Sequence, residues 1–245
     1  MNIFISGATS AIAQAWARLP AAKGAAFYLL GRDAEKLEAV KKDLLARGAR
    51  DVLVHTADLA LPQDYDNIVN QLYSHWSRVD IALFAQGNLP DQQALLSDMN
   101  AVRSVFELNA MSYMLPANLI GARMAQAGSG AIVLISSVAG DRGRQSNFFY
   151  GTSKAAVTCF AQGFRNHLHK FGVQVLTVKP GFVDTPMTAA IKKGGPLWAT
   201  PEQIAHCIEN GLQKKRDVIY APWFWQIIMR VIQHLPEAIF KRLSL

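Results

Sequence analysis

The feature that most constrains the fold is the regular alternation of short apolar runs with longer helical patterns. The runs FYLL, IALF and AIVLIS are almost continuously hydrophobic, which is typical of parallel strands covered by helices on both faces. Seven probable strands are 3–6, 26–30, 52–55, 81–84, 131–136, 173–178 and 218–220. Helical patterns lie between them, near 11–20, 34–47, 64–76, 101–127, 152–170 and 201–212. This order predicts an α/β fold with a doubly wound parallel sheet of about seven strands.

The chain reads as a single domain, 1–245, because it has no linker, repeat or low-complexity segment. With 51% hydrophobic and 18% charged residues, extended disorder is excluded. The first residues already read as a strand and not as an export signal, so we expect a cytoplasmic protein. Cys159 and Cys207 are then expected to be free thiols. No cysteine or histidine spacing resembles a metal site, and we assign no metal.

The first predicted strand runs into the stretch GATSAIA, which has the layout of a dinucleotide-binding loop with two glycines replaced. Gly7 keeps the position that allows the tight turn, and Ala11 and Ala13 each add one methyl group. Thr9 and Ser10 lie beside the predicted helix N-terminus, where amide donors favour phosphate. Taken alone, the stretch leaves a cofactor loop and a plain strand-to-helix turn equally open.

The second strand is followed by LLGRDAEKL. A carboxylate at the end of this strand would bind the ribose 2′-hydroxyl of NAD. Arg32 precedes the acid here, and a guanidinium suits a 2′-phosphate. Asp33 is better placed as the N-cap of the next helix. The pattern favours NADP(H) over NAD(H), the alternative for Arg32 being a solvated turn residue.

A candidate catalytic group follows the fifth strand. Tyr150 and Lys154 are four residues apart at the start of a predicted helix, which puts them on one helix face. An ammonium group favours the phenolate, so Tyr150 could exchange a proton with a carbonyl oxygen. The strand itself ends in Ser136 and Ser137, where ligands bind in such sheets. Asn109 lies in a predicted helix, and an asparagine side chain does not stabilise a helix. A lone Y-x-x-x-K is more often a surface pair.

Together SGATSAIA, ISSVAG, YGTSK and PGFVDTP resemble the short-chain dehydrogenase/reductase family over essentially the whole chain. The resemblance implies a Rossmann-like fold and transfer of hydride between NAD(P)(H) and a ketone or secondary alcohol. It implies that Tyr150 is the general acid/base and that Lys154 lowers its pKa and binds ribose. It also implies that Ser137 orients the substrate, that Asn109 belongs to a proton relay, and that the protein forms dimers or tetramers. The expected cofactor contacts are Gly7, Thr9, Ser10, Ala11, Ile12, Arg32, Asp58, Leu59, Ala85, Gly87, Tyr150, Lys154, Pro180, Gly181, Val183 and Thr185.

A narrower resemblance rests on QGNLPDQ, GDRGRQSNFFYGTSKA and the C-terminal YAPWFWQIIMRVIQHLPEAIFKRL. These stretches are similar to the branch of the family that includes a decaprenylphosphoryl 2-keto-sugar reductase, which suggests a keto group on a sugar or a lipid-linked sugar. The AQG at residues 85–87 departs from the family's usual NAG. Two alternatives stay open, a non-catalytic NADP-binding module and a nucleotide-sugar epimerase.

The C-terminal tail, residues 222–245, reads as an amphipathic helix. Its polar stripe holds Gln226, Arg230, Gln233 and Glu237, and Trp, Phe, Ile and Val cover the rest. Six basic against two acidic residues in 213–245 make this part +4 in a chain of net charge +7. Such a face suits peripheral contact with the inner membrane surface, a second subunit, or a lid over the substrate pocket. The aromatic residues are not interleaved with the basic ones, which argues against nucleic acid.

Arg142 and Arg144 lie between Ser137 and Tyr150, at the mouth of the predicted site. One of them is a candidate for binding a phosphate or another anionic group of the substrate. The alternative is that both are solvated loop residues.

Overall fold

The computed structural model describes residues 1–191 and 194–243. Its centre is a parallel sheet of seven strands in the order β3-β2-β1-β4-β5-β6-β9, which confirms the predicted α/β fold. The seven strands are β1 (Asn2–Ser6), β2 (Ala26–Gly31), β3 (Asp51–Thr56), β4 (Ile81–Phe84), β5 (Gly130–Ile135), β6 (Val173–Pro180) and β9 (Val218–Ala221). The order reverses between β1 and β4, which is where such sheets bind their ligands.

Helices cover both faces of this sheet. The helices are α1 (Ala11–Ala21), α2 (Ala34–Ala46), α3 (Tyr65–His75), α4 (Gln92–Leu95), α5 (Met99–Phe106), α6 (Ser112–Ala127), α7 (Phe148–His169), α8 (Pro201–Gln213), α9 (Phe224–His234) and α10 (Glu237–Phe240). Apolar residues of α1, α2 and α8 pack on one face, and those of α3, α6 and α7 pack on the other. Because both faces are buried, the strands are hydrophobic without alternation.

Several helix starts follow from local sequence chemistry. Asp33 accepts a hydrogen bond from the Lys36 amide at 3.0 Å, so its predicted role as the N-cap of α2 is confirmed. Thr200 and Gln203 form a reciprocal capping box in front of α8. These caps satisfy backbone donors that would otherwise lack partners at the first turn.

The structure differs from the predicted elements at several places. The helix expected over 101–127 contains one π-helical turn, Glu107–Met111, between α5 and α6. The helix expected from 152 begins at Phe148, so Tyr150 belongs to its first turn. A second sheet pairs β7 (Phe182–Val183) with β8 (Trp198–Ala199), and two-residue strands leave no periodic signal in a sequence.

The tail forms two helices, α9 and α10, because Pro236 follows α9 and cannot continue it. One face of α9 buries Trp225 and Met229 in a small cluster with Val138. The opposite face leaves Trp223, Ile227 and Val231 exposed, with the Trp223 side chain 70% accessible. Among the described residues no helix is both long and apolar enough to cross a membrane. Residues 244 and 245 of the predicted tail lie outside the described residues.

Candidate active site

A cavity of about 690 Å³ opens at the carboxyl ends of the parallel strands. It collects most of the residues that the sequence analysis selected from distant parts of the chain. The predicted residues that line it are Gly7, Thr9, Ser10, Ala11, Ile12, Arg32, Asp58, Leu59, Ala85, Gly87, Ser137, Arg144, Tyr150, Lys154, Pro180, Gly181, Val183 and Thr185. Two selected residues, Asn109 and Arg142, are not part of the lining.

The loop between β1 and α1 forms one wall of this cavity. Gly7 has a φ of +74°, a left-handed conformation that favours glycine. The Ser10 side chain makes no capping hydrogen bond to α1, so the first amides of the helix stay open toward the cavity lined by Ala11 and Ile12. Ala13 is buried in the core below. The two alanines therefore leave the turn open, and this terminus suits a phosphate.

The cavity wall that follows β2 carries a guanidinium, that of Arg32, without an ion-pair partner among the described residues. Arg32 is exposed and lines the cavity, and no carboxylate of the described chain lies within 4.0 Å of it. Asp33 is engaged by the Lys36 amide and by Lys36 Nζ at 3.1 Å. Both of its carboxylate oxygens therefore already have a donor within the chain. Asp58 lines the cavity and accepts the Ala60 amide at 3.1 Å.

The two serines after β5 have different environments. Ser136 Oγ donates to the Lys154 carbonyl at 2.9 Å and lies 2.7 Å from Thr158 Oγ1. It therefore ties the end of β5 to α7. Ser137 is 8% exposed and lines the cavity, and its Oγ accepts the Ala139 amide at 3.1 Å. Ser136 also lines the cavity, but its hydroxyl proton is donated to the Lys154 carbonyl, so Ser137 is the serine whose hydroxyl can donate to a ligand.

Tyr150 and Lys154 face the same cavity from successive turns of α7. Burial raises the pKa of the Tyr150 phenol, and the nearby Ser137 hydroxyl acts in the opposite direction. Burial lowers the pKa of Lys154 to about 7. Lys154 Nζ donates to the Ile135 carbonyl at 3.1 Å. An amine so close to its neutral form changes its charge readily when a ligand brings negative charge nearby.

Asn109 lies in the π-helical turn and is fully buried. Its Oδ1 accepts the Asn88 amide at 2.9 Å, and its Nδ2 donates to the Asn88 carbonyl at 3.0 Å. Asn88, in contrast, lines the cavity. Asn109 thus holds the segment after β4 in place, and its part in a proton relay remains a prediction.

The sequence analysis missed two polar residues around Lys154. Tyr113 is fully buried, accepts a hydrogen bond from Lys154 Nζ at 3.1 Å, and donates to the Gln86 carbonyl. Gln86 Nε2 in turn donates to the Ser112 carbonyl at 2.9 Å. Tyr113 is four residues after Asn109, so helical spacing was the signal that could have found it. The glutamine of AQG is therefore hydrogen-bonded to the tyrosine that contacts Lys154.

The tail helix α9 also reaches the site, which supports one of the alternatives weighed for it. Trp225 lines the cavity and is 3% exposed. A Cβ atom added to Gly181 would overlap the Trp225 indole, so α9 packs directly on the segment after β6. One face of the tail therefore covers this end of the cavity.

The structure corrects the expectation that Arg142 could meet a substrate. Arg142 Nη1 donates to the carbonyls of Ile232 at 2.5 Å and Leu235 at 2.7 Å. Its Nη2 pairs with Glu237 at 2.9 Å, and the guanidinium lies 3.7 Å from the Phe240 ring centroid. Its donors close the C-terminus of α9, where free carbonyls need partners. This contact is not readable from the sequence because it spans some 90 residues.

The residues present fit a nicotinamide dinucleotide. The open first turn of α1 offers amides for a pyrophosphate, Arg32 offers a cation with no partner among the described residues, and Tyr150 and Lys154 lie at the far end of the same cavity. A dinucleotide with a pyrophosphate and a separate 2′-phosphate would meet the helix amides with the first group and the Arg32 guanidinium with the second.

Comparison with known sequences gives consistent results. The family described as short chain dehydrogenase matches residues 1–195. An uncharacterized oxidoreductase of Streptomyces coelicolor is 34% identical over 244 residues, covering 99% of this chain and 95% of the relative. An uncharacterized oxidoreductase of Mycobacterium tuberculosis is 32% identical over 246 residues, covering 98% of this chain and 96% of the relative.

Solved structures share the fold. A short-chain dehydrogenase from Sphingobium yanoikuyae in complex with NADPH matches with a TM-score of 0.82 and 23% identity, covering 97% of each chain. A bulky-bulky ketone specific alcohol dehydrogenase from Comamonas testosteroni matches with a TM-score of 0.81 and 22% identity, covering 97% of this chain and 95% of that one. At these identities the likeness establishes the fold alone.

Proposed function

The chain belongs to the short-chain dehydrogenase family, and from that premise we propose that it is an NADP(H)-dependent carbonyl reductase or alcohol dehydrogenase. Oxidoreductase chemistry on CH–OH groups with NAD(P) is the family's activity. The observation that carries the proposal is that Ser137, Tyr150 and Lys154 share one cavity with the open first turn of α1. In this proposal the reacting group is a ketone or a secondary alcohol.

The proposed roles follow from the chemistry of each side chain. A bound nicotinamide supplies or accepts the hydride. Tyr150 gives a proton to the developing alkoxide oxygen or takes one from the alcohol. Ser137 donates a hydrogen bond to the same oxygen and orients it. Lys154, held by Tyr113 and the Ile135 carbonyl, favours the ionised phenol when it is protonated.

The preference for NADP(H) is supported by Arg32. Substituting Arg32→Ala removes a cation that would pair with the 2′-phosphate, so we expect the Kd of NADPH to rise about 10-fold or more. The Kd of NADH, which has no 2′-phosphate, should stay nearly the same. Fluorescence titration of both nucleotides measures this, and ketone-dependent NADPH oxidation in the wild type tests the activity itself.

A matched control is Arg47→Ala, which removes a guanidinium paired with Asp43 at the far end of α2. It should leave both nucleotide affinities unchanged. An equal loss of NADPH and NADH affinity in Arg32→Ala would remove the basis for the NADP preference. An absence of saturable NADPH binding in the wild type would remove the proposed function.

The proposed substrate is a sugar or a lipid-linked sugar that carries a keto group. We also propose that the protein binds peripherally to an anionic membrane surface while it acts on this substrate. It is supported by the narrower resemblance and by the outer face of α9, where Trp223, Ile227 and Val231 are exposed beside the exposed Arg230. The C-terminal segment 213–245, with a net charge of +4, is attracted to anionic lipid and repels a second copy of itself. Members of the family are commonly oligomeric, so a second copy is the competing occupant.

Vesicle sedimentation distinguishes these occupants. Wild type should bind phosphatidylglycerol-containing vesicles at low salt and be released by high salt, and replacing Trp223, Ile227 and Val231 by serine should abolish binding. Replacing the equally exposed Leu61 and Leu96 by serine is the control and should change nothing. Failure of the wild type to bind vesicles contradicts the proposal. If the wild type is a dimer and only the triple variant is a monomer, the exposed apolar face of α9 binds a second copy of the chain instead.

A further inference from the structure

Arg144 is a cavity-lining arginine whose donors meet only a weak acceptor among the described residues. Its Nε is buried and has no hydrogen-bond partner, and its Nη2 contacts Met229 Sδ at 3.2 Å. A thioether is a weak acceptor. No carboxylate of residues 1–191 and 194–243 lies within 4.0 Å of the guanidinium. The desolvation of this guanidinium is therefore only weakly compensated by the described residues.

The acid nearest in the loop cannot serve as its partner. The Asp141 side chain is 2% accessible, and its Oδ1 accepts Lys179 Nζ at 2.5 Å. Its Oδ2 accepts the Tyr220 hydroxyl at 2.7 Å. Both carboxylate oxygens are therefore engaged by other groups, so Asp141 acts on the charge of Arg144 from a distance and forms no ion pair with it.

Two further polar groups at this end of the cavity are buried without partners. They are the indole N–H of Trp225, a residue only 3% exposed, and the Oδ1 of Asn147. Both residues line the cavity together with Arg144. Buried polar groups in native proteins nearly always have partners. A ligand with several acceptor oxygens would supply those that the guanidinium and the indole lack.

These donors are separate from the places proposed for the cofactor phosphates. The pyrophosphate and the 2′-phosphate are assigned to the first turn of α1 and to Arg32. Arg144 instead contacts Met229 of α9, the helix whose Trp225 packs on Gly181. The free guanidinium thus belongs to the substrate end of the cavity, between Tyr150 and the tail.

We propose that the substrate carries an anionic group, a carboxylate or a phosphate, which binds Arg144 and the Trp225 indole N–H while the keto group meets Tyr150. This inference rests on the proposed ketone reduction and deepens it by naming the substrate class. Arg144 is then the residue that discriminates an anionic ketone from a neutral one. Arg142, whose donors are used by α9, has no such role.

A series of linear methyl keto acids of increasing chain length, each compared with its methyl ester, tests the inference. Turnover is followed as NADPH oxidation, and binding to the NADPH-loaded protein is followed by calorimetry. At the length that spans Tyr150 to Arg144, we expect the acid to have a kcat/KM and an affinity at least about 10-fold above those of its ester. A keto-alkyl phosphate of that length distinguishes phosphate from carboxylate as the preferred anion.

The substitution Arg144→Gln should lower kcat/KM and affinity for the acid at least about 10-fold more than for the ester, which abolishes the preference, since a charge-assisted contact is lost only with the anion. Arg103→Gln, which changes an exposed arginine on α5, is the matched control and should keep the preference. Equal losses for acid and ester in Arg144→Gln, or no preference at any length in the wild type, overturn the inference. Acids that bind through Arg144 without NADPH oxidation would overturn the proposed reduction and leave the anion site standing.

Discussion

Tyr150→Phe should reduce kcat/KM for ketone reduction by about 10³-fold, because it removes the proton donor and leaves the ring in place. Tyr150 lines the cavity beside the 3% exposed Lys154, and an aliphatic hydroxyl such as that of Ser137 is far too weak an acid to replace it. The Kd of NADPH should change little, since the phenyl ring still fills the same space. Initial rates with the ketone that the wild type reduces best, together with NADPH titration, measure both effects.

The pH dependence has a defined sign. Reduction needs the protonated phenol, so wild-type kcat/KM should fall as the pH rises through the pKa of Tyr150 in the complex. The residual activity of Tyr150→Phe should lack this decline. A variant that keeps most of the wild-type rate, or that keeps the same alkaline decline, would refute the assignment of the proton to Tyr150.

Tyr73→Phe provides a matched control for the same chemical change. The Tyr73 hydroxyl is buried without a partner in α3, outside the residues that line the cavity. Its removal should leave activity unchanged, because no hydrogen bond is lost. A comparable loss in this variant would mean that the assay reports general damage to the fold.

Gly7→Ala should lower the free energy of unfolding by about 2–4 kcal/mol and strongly weaken NADPH binding. At φ +74° an L-residue costs about 1 kcal/mol, and the new Cβ would lie 2.6 Å from Gln86 Cα and 2.8 Å from Gln86 Cβ. Relieving an overlap of this kind in a packed region costs about 1–3 kcal/mol more. The Gln86 carbonyl accepts a hydrogen bond from the Tyr113 hydroxyl. A displacement of Gln86 would therefore disturb both the loop after β1 and the Tyr113 contact to Lys154.

Gly24→Ala separates the two contributions. Gly24 has a φ of +73° and no heavy atom within 4 Å of an added Cβ, so it should show the conformational cost of about 1 kcal/mol without the overlap. Denaturant unfolding and NADPH titration of both variants measure the difference. Equal destabilisation by the two substitutions, or unchanged NADPH binding in Gly7→Ala, would contradict the close packing of the loop on Gln86.

Local chemistry accounts for the parts of the fold that the sequence predicted well. A strand buried on both faces must be apolar throughout, so all seven strands of the main sheet were predicted within one or two residues. The Asp33 cap and the Tyr150–Lys154 spacing depend on neighbours within one helical turn and are equally readable. The β7–β8 pair and the π-helical turn at Glu107–Met111 were not predicted, because each is stabilised or shaped by packing against distant segments. The break before Glu237 was also not predicted, although its cause, Pro236, is local.

The candidate site divides in the same way. The sequence motifs determined that this chain is a parallel α/β protein of an oxidoreductase family. The order of strands and helices then brings the residues that follow β1, β5 and β6 to the same edge of the sheet. Only the tertiary structure decided that Arg142 secures the tail, that Arg144 contacts the Met229 thioether and no carboxylate of the described residues, and that Trp225 covers the cavity. The physical reason is distance along the chain: these roles depend on which hydrogen-bond partners lie within about 3 Å in space, and partners some 80–90 residues apart leave no periodic pattern.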